Sequence, residues 1–175
     1  MSKIYDIPKF ISDHRIVSIV AYDSKTHGIG CYPEKELPLR SIHDRKFLEE
    51  FIFDDRYIKV CGRNTYNSMP KRYQEKFFII SRSGNGDFNI LDEPIDYVLA
   101  RDKKLLICGG QGIYEEAFKN PRVELFIENI FMDVKTEKQF TKFYKRPEEG
   151  FRTINKFEAL TDDAGLIHQI VAERK

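Results

Sequence analysis

Asp44 is the acid in this sequence whose setting could give it chemistry. It lies one helical turn before Phe47 and Leu48, with Phe51 two turns on, so a helix over residues 41–53 carries the carboxyl on an apolar face. A carboxyl that looks into a hydrophobic cleft has a raised pKa and can supply a proton near neutral pH. Ser41-x-x-Asp44 also fits a capping box at a helix start, so a structural reading stands beside the chemical one.

Three other segments could hold phosphate. In Val60-Cys61-Gly62-Arg63-Asn64-Thr65 an apolar strand runs into glycine and a short helix with Arg63 at its mouth. Leu106-Ile107-Cys108-Gly109-Gly110-Gln111-Gly112-Ile113-Tyr114 repeats the arrangement. Backbone N–H groups and a helix dipole at such a turn attract anions, although glycine also serves simply to allow a tight strand-to-helix turn. Two such turns on neighbouring strands favour a dinucleotide over a single phosphate. The third segment, Ile80-Ser81-Arg82-Ser83, ends a strand with groups suited to a monophosphate, such as the 2′-phosphate that separates NADP from NAD. An ordinary Rossmann domain is disfavoured, because Gly109-Gly110-Gln111-Gly112 matches the GxGxxG fingerprint only in part and no acid follows an early βα turn at the usual offset of about 20 residues.

Placing these groups requires strands between helices. Residues 16–22, 57–61, 77–80 and 105–108 are short apolar runs rich in β-branched and aromatic residues, as strands covered on both faces should be. Residues 41–53 and 112–119 carry helical spacing. Residues 123–134 read as a long strand, and 151–160 and 166–173 flank the turn sequence Thr161-Asp162-Asp163-Ala164-Gly165, which predicts a hairpin. With residues 88–91 as a weak extra strand, the expectation is an α/β fold with a mixed sheet of about eight strands, an antiparallel C-terminal hairpin and flanking helices. Residues 15–175 form one domain in this reading, and residues 1–14 are an unassigned N-terminal extension.

Composition excludes several classes. The 29 Lys+Arg residues balance 28 Asp+Glu and are scattered, so the basic stripe of a nucleic-acid binder is missing. Cys31, Cys61 and Cys108 have neither metal-ligand nor disulfide spacing and read as thiols of a cytoplasmic protein. No apolar run approaches the ~20 residues that span a bilayer. His27, His43 and His168 read as solvated positions.

Taken in order over roughly residues 16–174, the segments resemble dihydrofolate reductase. The matching pieces are Val17-Ser18-Ile19-Val20-Ala21, the loop Gly28-Ile29-Gly30 with Leu37-Pro38-Leu39, Asp44 six residues after Pro38, Gly62-Arg63-Asn64-Thr65 for the Gly-Arg-x-Thr motif, Ile80-Ser81-Arg82, and Cys108-Gly109-Gly110-Gln111-Gly112-Ile113-Tyr114 for the Gly-Gly-x-x-x-Tyr motif. The resemblance implies the three-layer fold of that family and NADPH-dependent reduction of 7,8-dihydrofolate to 5,6,7,8-tetrahydrofolate, with Asp44 as the active-site acid. It places NADPH against Tyr22, Ile29 and Gly30 at the nicotinamide, against Gly62, Arg63, Asn64 and Thr65 and against Gly109, Gly110, Gln111, Gly112, Ile113 and Tyr114 at the pyrophosphate. Ser81 and Arg82, with Arg63, would meet the 2′-phosphate. Dihydrofolate would sit among Val20, Ala21, Asp44, Leu48, Met69 and Cys108. The expected protein is a cytoplasmic monomer with a small-molecule substrate and no nucleic acid, membrane or metal partner.

Departures fall on the substrate side. Leu39 stands where the family usually has Trp, and Glu75 where it fixes folate's glutamate tail with Arg, leaving Lys76 or Arg72 as substitutes. Glu128 is placed where the family offers a Thr hydroxyl to the acid, so Asp44 and Glu128 are expected to face each other and share a proton. The competing arrangement has Glu128 pointing away or paired with Arg45. Two other functional readings stay open: a reductase of the same fold acting on another heterocycle, such as a riboflavin-pathway pyrimidine, and a cofactor-binding relative without turnover.

Overall fold

The apolar run at residues 16–22 becomes the middle of the sheet. In this computed structural model, which describes residues 13–30, 39, 41–135, 139–160 and 165–175, β1 (Ile16–Asp23) lies between two parallel partners, β5 (Lys104–Ile107) and β6 (Leu125–Phe131). Beyond β5 come β3 (Tyr57–Gly62) and β4 (Phe77–Ile80), both parallel, and beyond β6 the antiparallel β9 (Leu166–Arg174) and β8 (Phe151–Leu160). The seven-stranded order is β4-β3-β5-β1-β6-β9-β8. The expected hairpin at the C-terminal end of the sheet is therefore present, although its turn residues 161–164 lie outside the described residues, as do Cys31, Leu37, Pro38 and residues 1–12 of the N-terminal extension.

Continuous apolarity in these strands follows from helices on both faces. Ile16, Leu105, Ile107 and Phe126 pack with Ile95 and Val98 of α4 (Asp92–Leu99) and Ala117 of α5 (Gln111–Lys119). Val17, Ile19, Leu106 and Ile127 face the other way, onto Phe47 and Phe51 of α1 (Ile42–Ile52). Two short helices, α2 (Arg63–Ser68) and α3 (Lys71–Gln74), connect β3 to β4.

Two features differ from expectation. Residues 88–91 contribute only the bridge Ile80↔Phe88, and the chain then enters α4, whose first turn holds Asp92, Glu93 and Pro94, residue types that suit a helix N-terminus. A separate ribbon also pairs β2 (Gly28–Gly30) with β7 (Lys142–Phe143), so among the described residues nine strands form two sheets.

Candidate functional site

Helix α1 presents Asp44 as its spacing requires. Ser41 is the N-cap, and its Oγ accepts the Asp44 backbone N–H at 3.2 Å, so the cap and the acid occupy one turn. The Asp44 carboxyl does not close the cap. It reaches across to β6, where Asn129 Nδ2 donates to Asp44 Oδ1 at 2.7 Å. Asn129 Oδ1 in turn accepts from Gln169 Nε2 of β9 at 2.9 Å, which fixes the amide's orientation. Burial pushes the Asp44 pKa up to about 6, against the Asn129 hydrogen bond that lowers it. The group can thus exist as the acid close to neutral pH.

Glu128 does not face Asp44. Successive residues of a strand point to opposite faces, so with Asn129 directed to Asp44, Glu128 turns to the other side. There its carboxylate accepts Tyr144 Oη at 2.5 Å and two nitrogens of Arg146, at 2.9 and 3.2 Å. The expected carboxyl pair is replaced by an amide on the acid and a buried ion pair behind it, and neither Arg45 nor the cleft takes part in the latter.

On the other side of the sheet edge, β3 and β5 bring the two glycine turns together. Gly62 N–H donates to Gly109 O at 2.7 Å, and the Gly109-Gly110 peptide bond is cis. Gly109 has φ +105°, and a Cβ there would stand 3.2 Å from the Tyr114 ring, while a Cβ on Gly110 would stand 3.0 Å from Thr65 Oγ1. Side chains would fill the space between the turns, so glycine leaves a cradle of bare backbone at the start of α5. Tyr114 frames it from behind by donating its hydroxyl to Ile19 O at 2.7 Å. At the rim, Arg63 hydrogen-bonds Asn85 O, Arg82 pairs with Glu116, and Ser81 Oγ lies 2.9 Å from Ser83 Oγ. Arg82 therefore has a partner within the protein with which an incoming anion must compete.

Acid and cradle open into one cleft of ≈ 870 Å³. Val20, Ala21, Asp44, Leu48, Met69 and Cys108 line its apolar part. Ile29 and Gly30 form a lip, and the stretches 62–65, 81–82 and 109–114 form the polar part. Every sequence-predicted site residue thus converges here except Glu128 and Tyr22. The Tyr22 ring lies behind the wall, stacked on His27 and Tyr144, so His27 is a packed residue rather than a solvated one.

Sequence reasoning missed several wall residues. Ile52 extends the row of Asp44 and Leu48 at intervals of four, a signal the helix pattern carried. Tyr73 and Phe77 close the same end, and Asn129 was passed over for its neighbour. Leu39 lines the cleft as an apolar wall, packed near Phe131 and Ile167. Glu75 and Lys76 are exposed, and Arg72 donates to Glu49 at 2.6 Å. Burial pushes the Cys108 thiol well above its ordinary range and Cys61 up to about 12, so neither is a nucleophile: Cys108 is a wall of the cleft and Cys61 is core packing beside it.

With this geometry in place, comparisons with known proteins agree on the fold. A search of curated proteins finds none that matches the sequence. Among solved structures, the chain is similar to dihydrofolate reductase from Enterococcus faecalis complexed with NADP(H) and RAB-propyl, with TM-score 0.71 and 15% identity over 92% of this chain and 96% of that one. At that identity the likeness concerns the fold alone. The dihydrofolate reductase family profile, however, matches residues 15–169, a span that includes the Asp44 helix, both glycine turns and strand β6, and on that match the chain belongs to the dihydrofolate reductase family.

Proposed function

We propose that the protein reduces 7,8-dihydrofolate to 5,6,7,8-tetrahydrofolate with NADPH, and that Asp44 is the acid of its site. The observation that carries this reading is the placement of one partly buried carboxyl and one glycine cradle in the lining of a single cleft. The residues fit the cofactor: the cradle is bare backbone that a Cβ would obstruct, and two arginines stand at its rim. Gly62–Thr65 and Gly109–Ile113 would hold the pyrophosphate, Arg63 and Arg82 the 2′-phosphate, and Ile29 and Gly30 the nicotinamide. When bound, NADPH supplies the hydride that passes to the imine carbon of the pterin.

The chain's own residues do the remainder. Val20, Leu48, Ile52 and Phe77 exclude water from the pterin half and orient the ring. With Oδ1 held by Asn129, Asp44 turns Oδ2 to the ring's amidine N–H groups and promotes protonation of the nitrogen beside the reacting carbon. A pKa near 6 keeps a useful fraction of the acid form available.

The test is the fall in NADPH absorbance with dihydrofolate, comparing wild type and Asp44→Asn. Turnover that collapses in the variant while NADPH still binds supports the reading. A wild type that binds NADPH tightly but leaves dihydrofolate unchanged sinks it and points to another heterocycle. Belonging to the same proposal are a cytoplasmic monomer with one domain over residues 15–175 and no nucleic-acid partner. A net charge of +1 and scattered charges support the last point, and light scattering checks the monomer.

A further inference from the structure

Glu128 is a buried carboxylate that the proposed chemistry does not use, and its contacts lead back to the cleft from behind. We propose that Glu128 is a positioning residue: through Tyr144 and Arg146 it pins residues 140–146 as a strap that holds the cofactor lip in place. This inference rests on the NADPH reading above.

Glu128 is 2% exposed on β6, and Arg146 covers it with two hydrogen bonds while its guanidinium lies 5.3 Å from the Phe151 ring centroid. Tyr144 gives its hydroxyl to the same carboxylate. Both ends of this clamp come from the segment that follows β7, so the buried anion ties down a stretch of chain rather than a single side chain. A buried carboxylate needs such partners, since an unpaired one is heavily penalised, and this makes the pinning obligatory for the folded protein.

From the pinned residues, contacts run to the lip, to the start of α5 and to the aromatic rings behind them. Tyr144 N–H donates to His27 O at 2.9 Å, and His27 Nδ1 lies 3.0 Å from Tyr144 O. Thr141 N–H donates to Gly30 O at 2.9 Å, and Phe140 packs its ring where a Cβ on Gly28 would stand. Phe143 N–H donates to Gln111 Oε1 at 2.9 Å, which joins the strap to the first residue of α5. The Tyr144 ring meets Tyr22 and Tyr114 at centroid distances of 5.4 and 5.1 Å. Gly30, Gln111 and Tyr114 all line the cleft, so one segment braces the lip, the start of α5 and the aromatic backing together. Leu48, Ile52, Tyr73 and Phe77 of the pterin half come from α1, α3 and β4, away from these contacts, while Val20 packs in one cluster with Tyr144, which predicts an effect that falls mainly on the cofactor.

Glu128→Gln and Tyr144→Phe test the proposal, with amide hydrogen exchange, NADPH titration and steady-state kinetics on the full chain. Exchange at the amides of Thr141, Phe143 and Tyr144 should accelerate about tenfold while the β6–β9 amides keep their protection. The NADPH Kd should rise about five- to tenfold with the dihydrofolate KM held within about twofold. Unchanged exchange at the three amides overturns the pinning, and faster exchange with an unchanged NADPH Kd overturns the positioning role. Parallel loss of both ligands overturns it too, because that is what general loosening of the fold produces. Should Glu128→Gln fail to fold, Tyr144→Phe decides alone, since it removes one hydroxyl and keeps the ring. A wild type that binds no NADPH would count against the cofactor reading, and the exchange result would still decide whether Glu128 pins the strap.

Discussion

At the scale of single residues, Asp44 sets two opposing demands on one carboxyl. Burial holds its proton and the Asn129 amide favours its anion, and the balance leaves the pKa at about 6. Because the folded pKa lies above the ordinary value of 3.8, the native state binds the proton more tightly than the unfolded chain does. The stabilising effect is full below the unfolded pKa and is lost as pH rises through about 6. Asp44→Asn should therefore stabilise the protein above that pH, by about 2 kcal/mol after allowance for the open side of the cleft, and the gain should fade as the pH falls from 6 to 4. Urea titrations at a series of pH values check the sign. Asn129→Leu removes the contact that favours the anion, so the fall of turnover with rising pH, which follows loss of the Asp44 proton, should move to higher pH by about one unit. A profile left in place would show that the amide does not tune the acid. Asp44 was legible in the sequence because a helix repeats every 3.6 residues and its apolar neighbours mark the face. Glu128 and Asn129 were not separable, since Leu-Phe-Ile-Glu-Asn-Ile-Phe is buried on both faces and gives no alternation to read. Pairing with β1 and β9 sets which of the two meets the acid, and that register is a property of the sheet.

At the scale of elements, the turns between strand and helix carry the site. Gly109 has a backbone conformation that an L side chain rarely adopts, and its missing Cβ leaves room for the Tyr114 ring. Gly109→Ala should cost about 1–3 kcal/mol in stability and weaken NADPH more than dihydrofolate, which urea unfolding and ligand titration would separate. An equal effect on the two ligands would remove the cradle from the cofactor's site. Both glycine turns could be read in advance because the same strand–glycine–helix pattern occurs twice, and the pairing points to a dinucleotide where either turn alone would not. The β2–β7 ribbon could not, since strands of three and two residues are too short to show a period. Helix α4 was missed for a related reason. Its pattern starts with Asp92-Glu93-Pro94, and proline counts against a helix unless the first turn is already placed there.

At the scale of the whole molecule, the sheet order decides where a ligand can lie. Parallel strands β4, β3, β5, β1 and β6 present their carboxyl ends to one side, and the chain reverses into β9 and β8 only beyond them. The two glycine turns and the end of β1 therefore share an edge, which is where open α/β sheets bind ligands. A ligand that bridges several such ends stabilises the native state by mass action, about 3 kcal/mol at a concentration a hundred times Kd. For a domain of this size that corresponds to a rise in Tm of about 5–10 °C. NADPH should produce it and NADH should produce much less, because Arg63 and Arg82 stand at the rim beyond the cradle and would meet only the 2′-phosphate. Arg82 has to leave Glu116 to do so, but with its side chain 75% exposed that pair is weak, and the exchange costs less than about 1 kcal/mol. Replacing Arg63 and Arg82 together with Ala should bring the NADPH shift down to that of NADH, and Asp44→Asn should leave it intact. A double variant that keeps its preference for NADPH would place the 2′-phosphate elsewhere on the sheet edge.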